Sequence, residues 1–195
     1  LPISMMASNK LTHSPRGVDR GGHPKSSFSL SQRLSRQIWK ACSILVTASP
    51  RPLHAWRRFV LRCFGAKLHP TARVYPGVRI WHPARLIMHA KSCLAERVEV
   101  YNPAVVEICE GATISQGTWL CTASHDFDDP EHPLVTAPIR IDRGAWLAGD
   151  VFVGPGVTVG EEAVALARAV LVKNIQPSDV VGGNPAKVLR KRALP

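Results

Sequence analysis

Residues 141–171 read IDRGAWLAGDVFVGPGVTVGEEAVALARAVL, with a small or aliphatic side chain at every sixth position. These positions are Ile141, Leu147, Val153, Val159, Ala165 and Leu171. A second column stands two positions before each of the later ones: Ala145, Val151, Val157, Ala163 and Ala169. Alternation by two places both columns on one side of a strand, and repetition every six residues requires a turn after each short strand. Three such strands close a triangular coil, and stacked coils bury both columns in one axial core.

The same period extends through the preceding part of the chain, with two register shifts of two residues each. The aliphatic column continues at Leu68, Val74, Ile80, Leu86, then Met88, Leu94, Val100, then Ile108, Ile114 and Leu120. The smaller column continues at Ala72, Val78, Ala84, Val98, Val106, Ala112 and Thr118. An antiparallel sandwich would show longer alternation and hairpin turns, which are not visible. We therefore predict an all-β domain, a parallel β-helix of hexapeptide repeats, over residues 66–195.

One outward column of this β-helix is basic. It contains Arg73, Arg79, Arg85, Lys91 and Arg97. Coils of 18 residues would stack Arg73 over Lys91 and Arg79 over Arg97, which is unfavourable unless acids such as Glu96 or Glu99 neutralise them. The column is either a solvated ladder or a binding site for phosphate or an acidic polymer.

Charge is distributed unevenly along the chain. Residues 1–67 contain 12 Lys and Arg against one acid, whereas residues 68–195 contain 13 of each. This asymmetry indicates a basic appendage on a neutral body and does not favour a nucleic-acid-binding protein. We predict a disordered basic tail over residues 1–27 and a basic amphipathic helical segment over residues 28–65.

The helical segment contains two apolar stripes. The first runs from Ser29 to about Thr47 and consists of Leu30, Leu34, Ile38, Cys42 and Leu45. The second runs from Pro52 to Gly65 and consists of Leu53, Trp56, Val60 and Phe64. The favoured interpretation is that both stripes pack on the β-helix. The alternative is peripheral contact of residues 28–62 with an anionic membrane surface.

The remaining composition favours a cytoplasmic protein. Any membrane contact of its helical segment would then be with the inner face of the membrane. The five cysteines are odd in number and widely spaced, which indicates buried thiols in a reducing compartment. No apolar run is long enough to span a bilayer, and no secretory signal is evident.

The repeat has one long interruption, between Leu120 and Ile141. This insertion contains His125 next to Asp126, Asp128 and Asp129. Long insertions in regular solenoids commonly hold functional residues, and an imidazole beside carboxylates suits proton transfer near neutral pH. His125 is therefore the leading catalytic candidate.

Several motifs occur in a fixed order: Phe64-Gly65-Ala66-Lys67, Tyr101-Asn102-Pro103, Ile114-Ser115-Gln116, Thr122-Ala123-Ser124-His125-Asp126, Ala145-Trp146-Leu147, Gly154-Pro155-Gly156-Val157-Thr158-Val159-Gly160, Val172-Lys173 and Gly183-Asn184-Pro185-Ala186-Lys187. This set resembles the hexapeptide O-acetyltransferases, most closely the colanic acid biosynthesis group among the maltose, galactoside and nodulation acetyltransferase relatives. The resemblance implies a left-handed β-helix and a homotrimer with active sites between subunits.

The resemblance also implies a reaction: transfer of acetyl from acetyl-CoA directly to a sugar hydroxyl, free or lipid-linked, without a metal. His125 would be the general base, Asn102 and Asp126 would bind the acceptor, and Gly149 would offer a backbone N–H to the oxyanion. The cofactor contacts would be Trp146, Gly149, Ala167, Val172, Lys173, Lys187 and Arg190. An exopolysaccharide pathway is the implied setting.

This sequence departs from the family pattern in its glycines. Family repeats usually place Gly after the guiding aliphatic residue, but His89, Cys109 and Ala148 stand there, and the stretch 165–169 contains neither Gly nor Ser. Three alternatives stay open: a decayed scaffold or polysaccharide-binding protein, a γ-type carbonic anhydrase using histidine-bound zinc, and covalent catalysis by Cys121 or Ser124.

Overall fold

A computed structural model describes residues 30–193. The tail predicted over residues 1–27 lies outside the described residues. The described chain forms three parallel sheets that wind around one axis, preceded by short helices. The predicted left-handed parallel β-helix is confirmed.

The strands, numbered along the chain, are two to five residues long. Sheet 1 contains β1 (Lys67–Leu68), β4 (Leu86–Met88), β7 (Val106–Ile108), β12 (Ile139–Ile141) and β15 (Thr158–Val159). Sheet 2 contains β2 (Arg73–Val74), β5 (Cys93–Leu94), β8 (Thr113–Ile114), β13 (Trp146–Leu147), β16 (Val164–Ala165) and β18 (Asp179–Gly182), on which β19 (Lys187–Lys191) pairs antiparallel. Sheet 3 contains β3 (Arg79–Ile80), β6 (Glu99–Tyr101), β9 (Trp119–Cys121), β14 (Phe152–Val153) and β17 (Val170–Leu171). A separate hairpin pairs β10 (Ala123–His125) with β11 (Leu134–Thr136).

The axial core consists of the two columns seen in the sequence. Every aliphatic position named above is buried, and so is the smaller column with one exception. Ala84 is exposed because a 3-10 turn, Pro83–Arg85, interrupts the repeat there. The core of the β-helix is therefore readable from the sequence, apart from the turn that shifts the register.

The basic column stacks differently from the sequence expectation. Arg73 lies beside Cys93 and Arg79 beside Glu99, 20 positions apart, because the 3-10 turn lengthens the first coil. The Arg79 guanidinium forms an ion pair with the Glu99 carboxylate. The predicted stacking of Arg73 on Lys91 and Arg79 on Arg97 is wrong, and the expected like-charge repulsion gives way to this ion pair.

Left-handed backbone recurs three residues after the guiding aliphatic residue, and not directly after it. The residues with positive φ at this offset are Gly77, Lys91, Arg97, Gly111, Gly117, Gly144, Asp150, Gly156, Glu162 and Arg168. Gly117 and Gly144 have φ of +70° and +66°, where a side chain is strained, and an added Cβ would also require the Asp150 and Glu162 carboxylates to move. The absence of Gly at His89, Cys109 and Ala148 therefore costs no left-handed strain.

Three helices cover the open end of the first coil: α1 (Leu30–Cys42), α2 (Ile44–Thr47) and α3 (His54–Cys63). Strands β1, β2 and β3 have no preceding coil, so carbonyl groups on that edge need other donors. Helix side chains supply them: Arg62 bonds the carbonyl of Leu68, Arg58 that of Ala72, Arg57 and His54 that of Val74, and Trp39 that of Ile80. The helices thus act as an end cap.

Arg57 makes several hydrogen bonds within this cap. Its side chain is fully buried and donates to the carbonyls of Val74, Pro50 and Arg51 and to the hydroxyl of Ser49. Burial lowers the pKa of Arg57. Its hydrogen bonds join the loop between α2 and α3 to the edge of sheet 2.

The predicted apolar stripes do not pack as expected. The cap buries Trp39, Val46, Val60 and Leu61 and half-buries Phe64. Most of the predicted stripe faces outward instead, at Leu34, Ile38, Leu45, Leu53 and Trp56. The expectation that both whole stripes pack on the β-helix is therefore wrong, because the chain bends at Ser43 and the burial on α3 centres on Arg57 and Leu61.

Two further expectations concern the membrane and the thiols. None of the helices within residues 30–193 is both long enough and apolar enough to cross a bilayer. All five cysteines are free, and Cys109 and Cys121 are buried as expected, whereas Cys63 is exposed.

We expect Arg57→Leu to lower the free energy of unfolding by about 3 kcal/mol or more, because the carbonyls of Val74, Pro50 and Arg51 and the hydroxyl of Ser49 all lose a charged donor. The matched control is Arg51→Leu, whose exposed ion pair with Glu96 should contribute less than about 1 kcal/mol. Denaturant unfolding of both variants measures the difference. Equal stability of the two variants would contradict the capping role of Arg57.

Candidate active site

The long insertion projects as a hairpin from the corner where sheet 3 passes to sheet 1. Strand β9 ends at Cys121, and β10 and β11 pair with Ser124 opposite Val135 and His125 opposite Leu134. The start of the hairpin is held by Thr122, whose hydroxyl accepts a hydrogen bond from the Ala104 N–H. A catalytic residue on this hairpin is exposed to solvent yet anchored to the rigid coils.

The His125 imidazole has a defined orientation. Its Nδ1 lies 2.6 Å from the carbonyl oxygen of His132. A carbonyl can only accept, so Nδ1 carries the proton and Nε2 presents its lone pair to solvent. The sequence did not reveal His132 as this partner, because every residue type has a backbone carbonyl. Only the pairing of the two strands across the loop could have suggested this contact.

The loop tip is held by short-range hydrogen bonds. The Asp126 carboxylate accepts from the Asp128 N–H at 3.1 Å, and the Asp129 carboxylate accepts from the Glu131 N–H at 2.9 Å. These bonds are typical of Asx turns. Asp126 lies next to His125 and is exposed, and its contact with an acceptor stays a prediction.

The two candidate nucleophiles are placed less favourably than His125. Cys121 is buried, and its thiol lies 3.2 Å from the Ala123 carbonyl. The Ser124 hydroxyl donates to the carbonyl of His125 at 3.4 Å. Neither contact joins a nucleophile to the imidazole, so the geometry gives no support to covalent catalysis.

Asn102 lies at the same corner, one coil before the hairpin. It is fully buried; its Oδ1 accepts from the His82 N–H at 2.9 Å, and its Nδ2 donates to the His82 carbonyl at 2.9 Å. Both ends of the carboxamide thus bond the backbone of the preceding coil. Burial, with the nearby Arg85 and Arg36 cations, lowers the pKa of His82. The structure gives Asn102 a clamping role, and its acceptor contact stays a prediction.

One group of predicted cofactor residues lies at the corner between sheets 2 and 3. Trp146 is exposed on β13, and its indole N–H donates to the Ser115 hydroxyl at 3.0 Å. Gly149 and Ala167 follow in the turns of successive coils, and the Gly149 carbonyl accepts from the Arg168 N–H. A Cβ on Gly149 would lie 3.1 Å from the Gln116 amide nitrogen. These residues form one edge along the late coils.

The other predicted cofactor residues lie elsewhere. Val172 and Lys173 are exposed directly after β17, at the corner that bears the His125 hairpin. Lys187 and Arg190 are exposed on β19, at the end of sheet 2. Within one chain, sheet 3 therefore separates His125, Val172 and Lys173 from Trp146, Gly149 and Ala167. The surface of sheet 3 between them carries Trp119 against Phe152, with ring centroids 5.3 Å apart.

The stretch 165–169 forms an ordinary turn despite its lack of glycine. Arg168 takes the left-handed conformation with φ of 62°, and Leu166 is exposed. A Cβ on Gly182 would meet the side chains of Leu166 and Leu189, so these lie close together. The large side chain of Leu166 therefore lies near the edge formed by Trp146, Gly149 and Ala167, as expected, but it points toward β19.

Among the described residues, one group of side chains has metal-ligand chemistry: His89, Glu107 and Cys109 on sheet 1, with ligand atoms within 4.8 Å of one another. The carboxylate of Glu107 is already bonded to His89 at 2.8 Å and to Arg140 at 2.6 Å. The hydrogen bond from His89 lowers the pKa of Glu107. A guanidinium beside the carboxylate opposes a second cation, and a three-histidine site does not form around these residues.

Comparison with known proteins fits this architecture. A scan against protein-family models finds no match. WcaF of Escherichia coli (strain K12), assigned to colanic acid biosynthesis as an acetyltransferase, is 38% identical over 157 residues, which is 80% of this chain and 86% of WcaF. The chain belongs to the hexapeptide-repeat acetyltransferases. Identity at this level over most of both chains shows that the protein is an acyltransferase. The predicted family resemblance is confirmed.

Solved structures agree with this acetyltransferase fold. A maltose O-acetyltransferase from Clostridium difficile 630 superposes with a TM-score of 0.75 at 22% identity, covering 85% of this chain and 90% of that one. A galactoside acetyltransferase in complex with coenzyme A gives 0.74 at 20% identity, covering 86% of both chains. At these identities the likeness establishes the fold alone.

We expect Asn102→Ala to lower the free energy of unfolding by about 2–4 kcal/mol, because the buried His82 N–H loses its acceptor and the His82 carbonyl keeps only the Arg85 N–H. Asn174→Ala is the matched control: Asn174 also bonds a backbone N–H, that of Thr158, but is exposed, so the cost should stay below about 1 kcal/mol. Denaturant unfolding checks both. Unchanged stability with a raised acceptor KM would assign Asn102 to the acceptor instead.

Proposed function

We propose that this acetyltransferase transfers an acetyl group from acetyl-CoA to a sugar hydroxyl, with His125 as the general base. The observation that carries the proposal is the hydrogen bond from His125 Nδ1 to the His132 carbonyl, which leaves Nε2 free to accept a proton. The family membership and the CoA complex of a structural neighbour support the co-substrate.

The reaction needs one proton to move twice. Nε2 takes the proton of the sugar hydroxyl as the oxygen attacks the thioester carbonyl carbon. The tetrahedral intermediate then collapses, the C–S bond breaks, and Nε2 returns the proton to the CoA thiolate. The His132 carbonyl stabilises the imidazolium that forms between these steps, since it accepts from Nδ1–H. The backbone N–H of Gly149 is the proposed donor to the oxyanion.

The co-substrate is proposed to lie along the edge formed by Trp146, Gly149 and Ala167, toward Lys187 and Arg190. Indole and backbone surface suit the pantetheine arm, and the two cations suit the phosphates. Val172 and Lys173 are proposed to contact the same molecule from the other corner.

These contacts require more than one chain, and we propose a homotrimer with active sites between subunits. His125 and Gly149 stand at different corners of one β-helix, with sheet 3 between them. A neighbouring copy can bring its Trp146 edge against the His125 hairpin. Exposed Trp119 on sheet 3 and Phe127, 81% exposed on the hairpin, supply apolar area for such an interface.

The acceptor is proposed to be a sugar, free or lipid-linked, in exopolysaccharide biosynthesis on the cytoplasmic side of the membrane. The identity to WcaF supports this setting. Asp126 beside His125, and Asn102 through its hold on the corner, are the proposed acceptor residues.

We expect His125→Ala to lower kcat by about 100-fold to 10,000-fold, the range that general-base catalysis commonly contributes. Binding of CoA should be retained. The matched control is His132→Ala, which keeps the backbone carbonyl that orients His125 and should retain most activity. Thiol release from acetyl-CoA with a panel of free and lipid-linked sugars measures both. Full activity of His125→Ala would refute the base; no turnover and no CoA binding by the intact protein would favour a decayed scaffold.

Subunit mixing tests the composite site. His125→Ala and Trp146→Ala should each be nearly inactive at low acetyl-CoA, but mixed trimers of the two should recover about a third of wild-type activity, because one of the three interfaces in each mixed trimer holds both intact residues. Co-expression with two affinity tags isolates the mixed trimers. If every mixture stays as inactive as its parents, the site lies within one chain.

A further inference from the structure

The helical cap exposes an unusual amount of apolar surface. We call this the cap surface and define it by its exposed large hydrophobic residues: Leu34, Ile38, Ile44, Leu45, Leu53, Trp56 and Phe59. Leu34 is 64% exposed and Phe59 59% exposed, whereas Trp39 in the same cap is 4% exposed. Scattered single hydrophobic residues are normal on protein surfaces, but six within three short helices, with Leu53 directly before the third, are not.

Part of the cap surface is contiguous. The Trp56 indole N–H donates to the Leu45 carbonyl at 3.0 Å, and the rings of Trp56 and Phe59 lie 6.0 Å apart between centroids. This pairing joins α2 to α3 through one aromatic patch. Tryptophan with its N–H bonded and its ring exposed is the arrangement that proteins favour at the boundary between water and lipid.

The charge carried by the cap itself is of one sign. Residues 30–67 contain eight cations and no Asp or Glu: Arg33, Arg36, Lys40, Arg51, Arg57, Arg58, Arg62 and Lys67. Arg57, Arg58 and Arg62 donate to carbonyls of the first coil of the β-helix. Lys40 is exposed, and the exposed Arg51 forms an ion pair with Glu96 of the β-helix. Hydrogen bonding to neutral carbonyls leaves the positive charge of a guanidinium in place, so the whole cap repels cations and attracts anions.

The exposed apolar residues and the positive charge of the cap together distinguish between candidate binding partners. A second copy of the chain would bring one basic cap against another, which like-charge repulsion opposes. A nucleic acid would leave the apolar residues in water. An anionic phospholipid surface satisfies both features, because its headgroups attract the cations and its acyl boundary accepts leucine and aromatic side chains.

We propose that the cap surface docks the protein on an anionic phospholipid bilayer, with Leu45, Trp56 and Phe59 at its centre. The contact is peripheral. It sits on the end of the β-helix, away from the corners that carry His125 and Trp146, so docking leaves the acetyl-transfer site open. If the function proposed above holds, it positions the site beside lipid-linked acceptors.

Vesicle flotation of the intact chain tests the proposal. Phosphatidylcholine vesicles with and without phosphatidylglycerol are the probes, at low and high salt. We expect flotation with the anionic vesicles that weakens as salt screens the attraction. The variant Leu45→Ser/Phe59→Ser should bind about 100-fold more weakly, since removing each large side chain from the lipid boundary lowers the affinity about 10-fold.

A matched control replaces two exposed hydrophobic residues of the β-helix body, Val105→Ser/Val188→Ser, and should float as the wild type does. Trp56→Phe should float but lose the blue shift of tryptophan emission on vesicle binding. Circular dichroism verifies that all variants fold. Flotation requires no turnover, so its outcome is independent of the acetyl-transfer assay.

Three outcomes would overturn the proposal. The first is no flotation of the intact chain with anionic vesicles. The second is equal flotation of the Leu45→Ser/Phe59→Ser variant and the wild type. The third is a change in oligomeric state of that variant by sedimentation velocity with unchanged flotation, which would assign the cap surface to contacts between copies.

Discussion

The hydrogen bonding between successive coils constrains everything else in this molecule. A strand of two or three residues has no stability of its own and exists only because the coils on both sides pair with it. Wherever a coil has no neighbour, its polar backbone groups must find other partners. The same requirement accounts for the helical cap, for the antiparallel β19 on the last long strand and for the regular burial of two columns along the axis.

This constraint also decides where a functional residue can stand. Inside the coils, outward side chains are held at fixed spacing, and a catalytic group cannot move toward a substrate without breaking the ladder. The His125 hairpin avoids this limit by leaving the ladder at a corner while its base stays bonded to it. The cost is that His125 and the Trp146 edge belong to different corners, which is why the proposed reaction requires a neighbouring subunit.

The basic residues serve several separate purposes. Arg57, Arg58 and Arg62 satisfy backbone carbonyls at the open end of the β-helix. Arg79 and Arg140 form ion pairs across neighbouring coils. A net charge read from composition does not separate these uses, because the sequence does not show which cations already have partners.

The sequence alone determined the β-helix, its axial core and the position of the His125 insertion, because burial in this fold follows a strict six-residue period. It could not place the 3-10 turn at Pro83–Arg85, so it stacked Arg79 on Arg97 where the structure pairs Arg79 with Glu99. It also could not tell which face of each helix is buried, since hydrogen bonds to the first coil turn Arg57 inward and Trp56 outward. Only the tertiary structure revealed that the His132 carbonyl is the partner of His125 and that Asn102 clamps the backbone of His82. Backbone groups are the same in every residue type, so their pairing depends on how the chain folds back on itself and not on the sequence pattern.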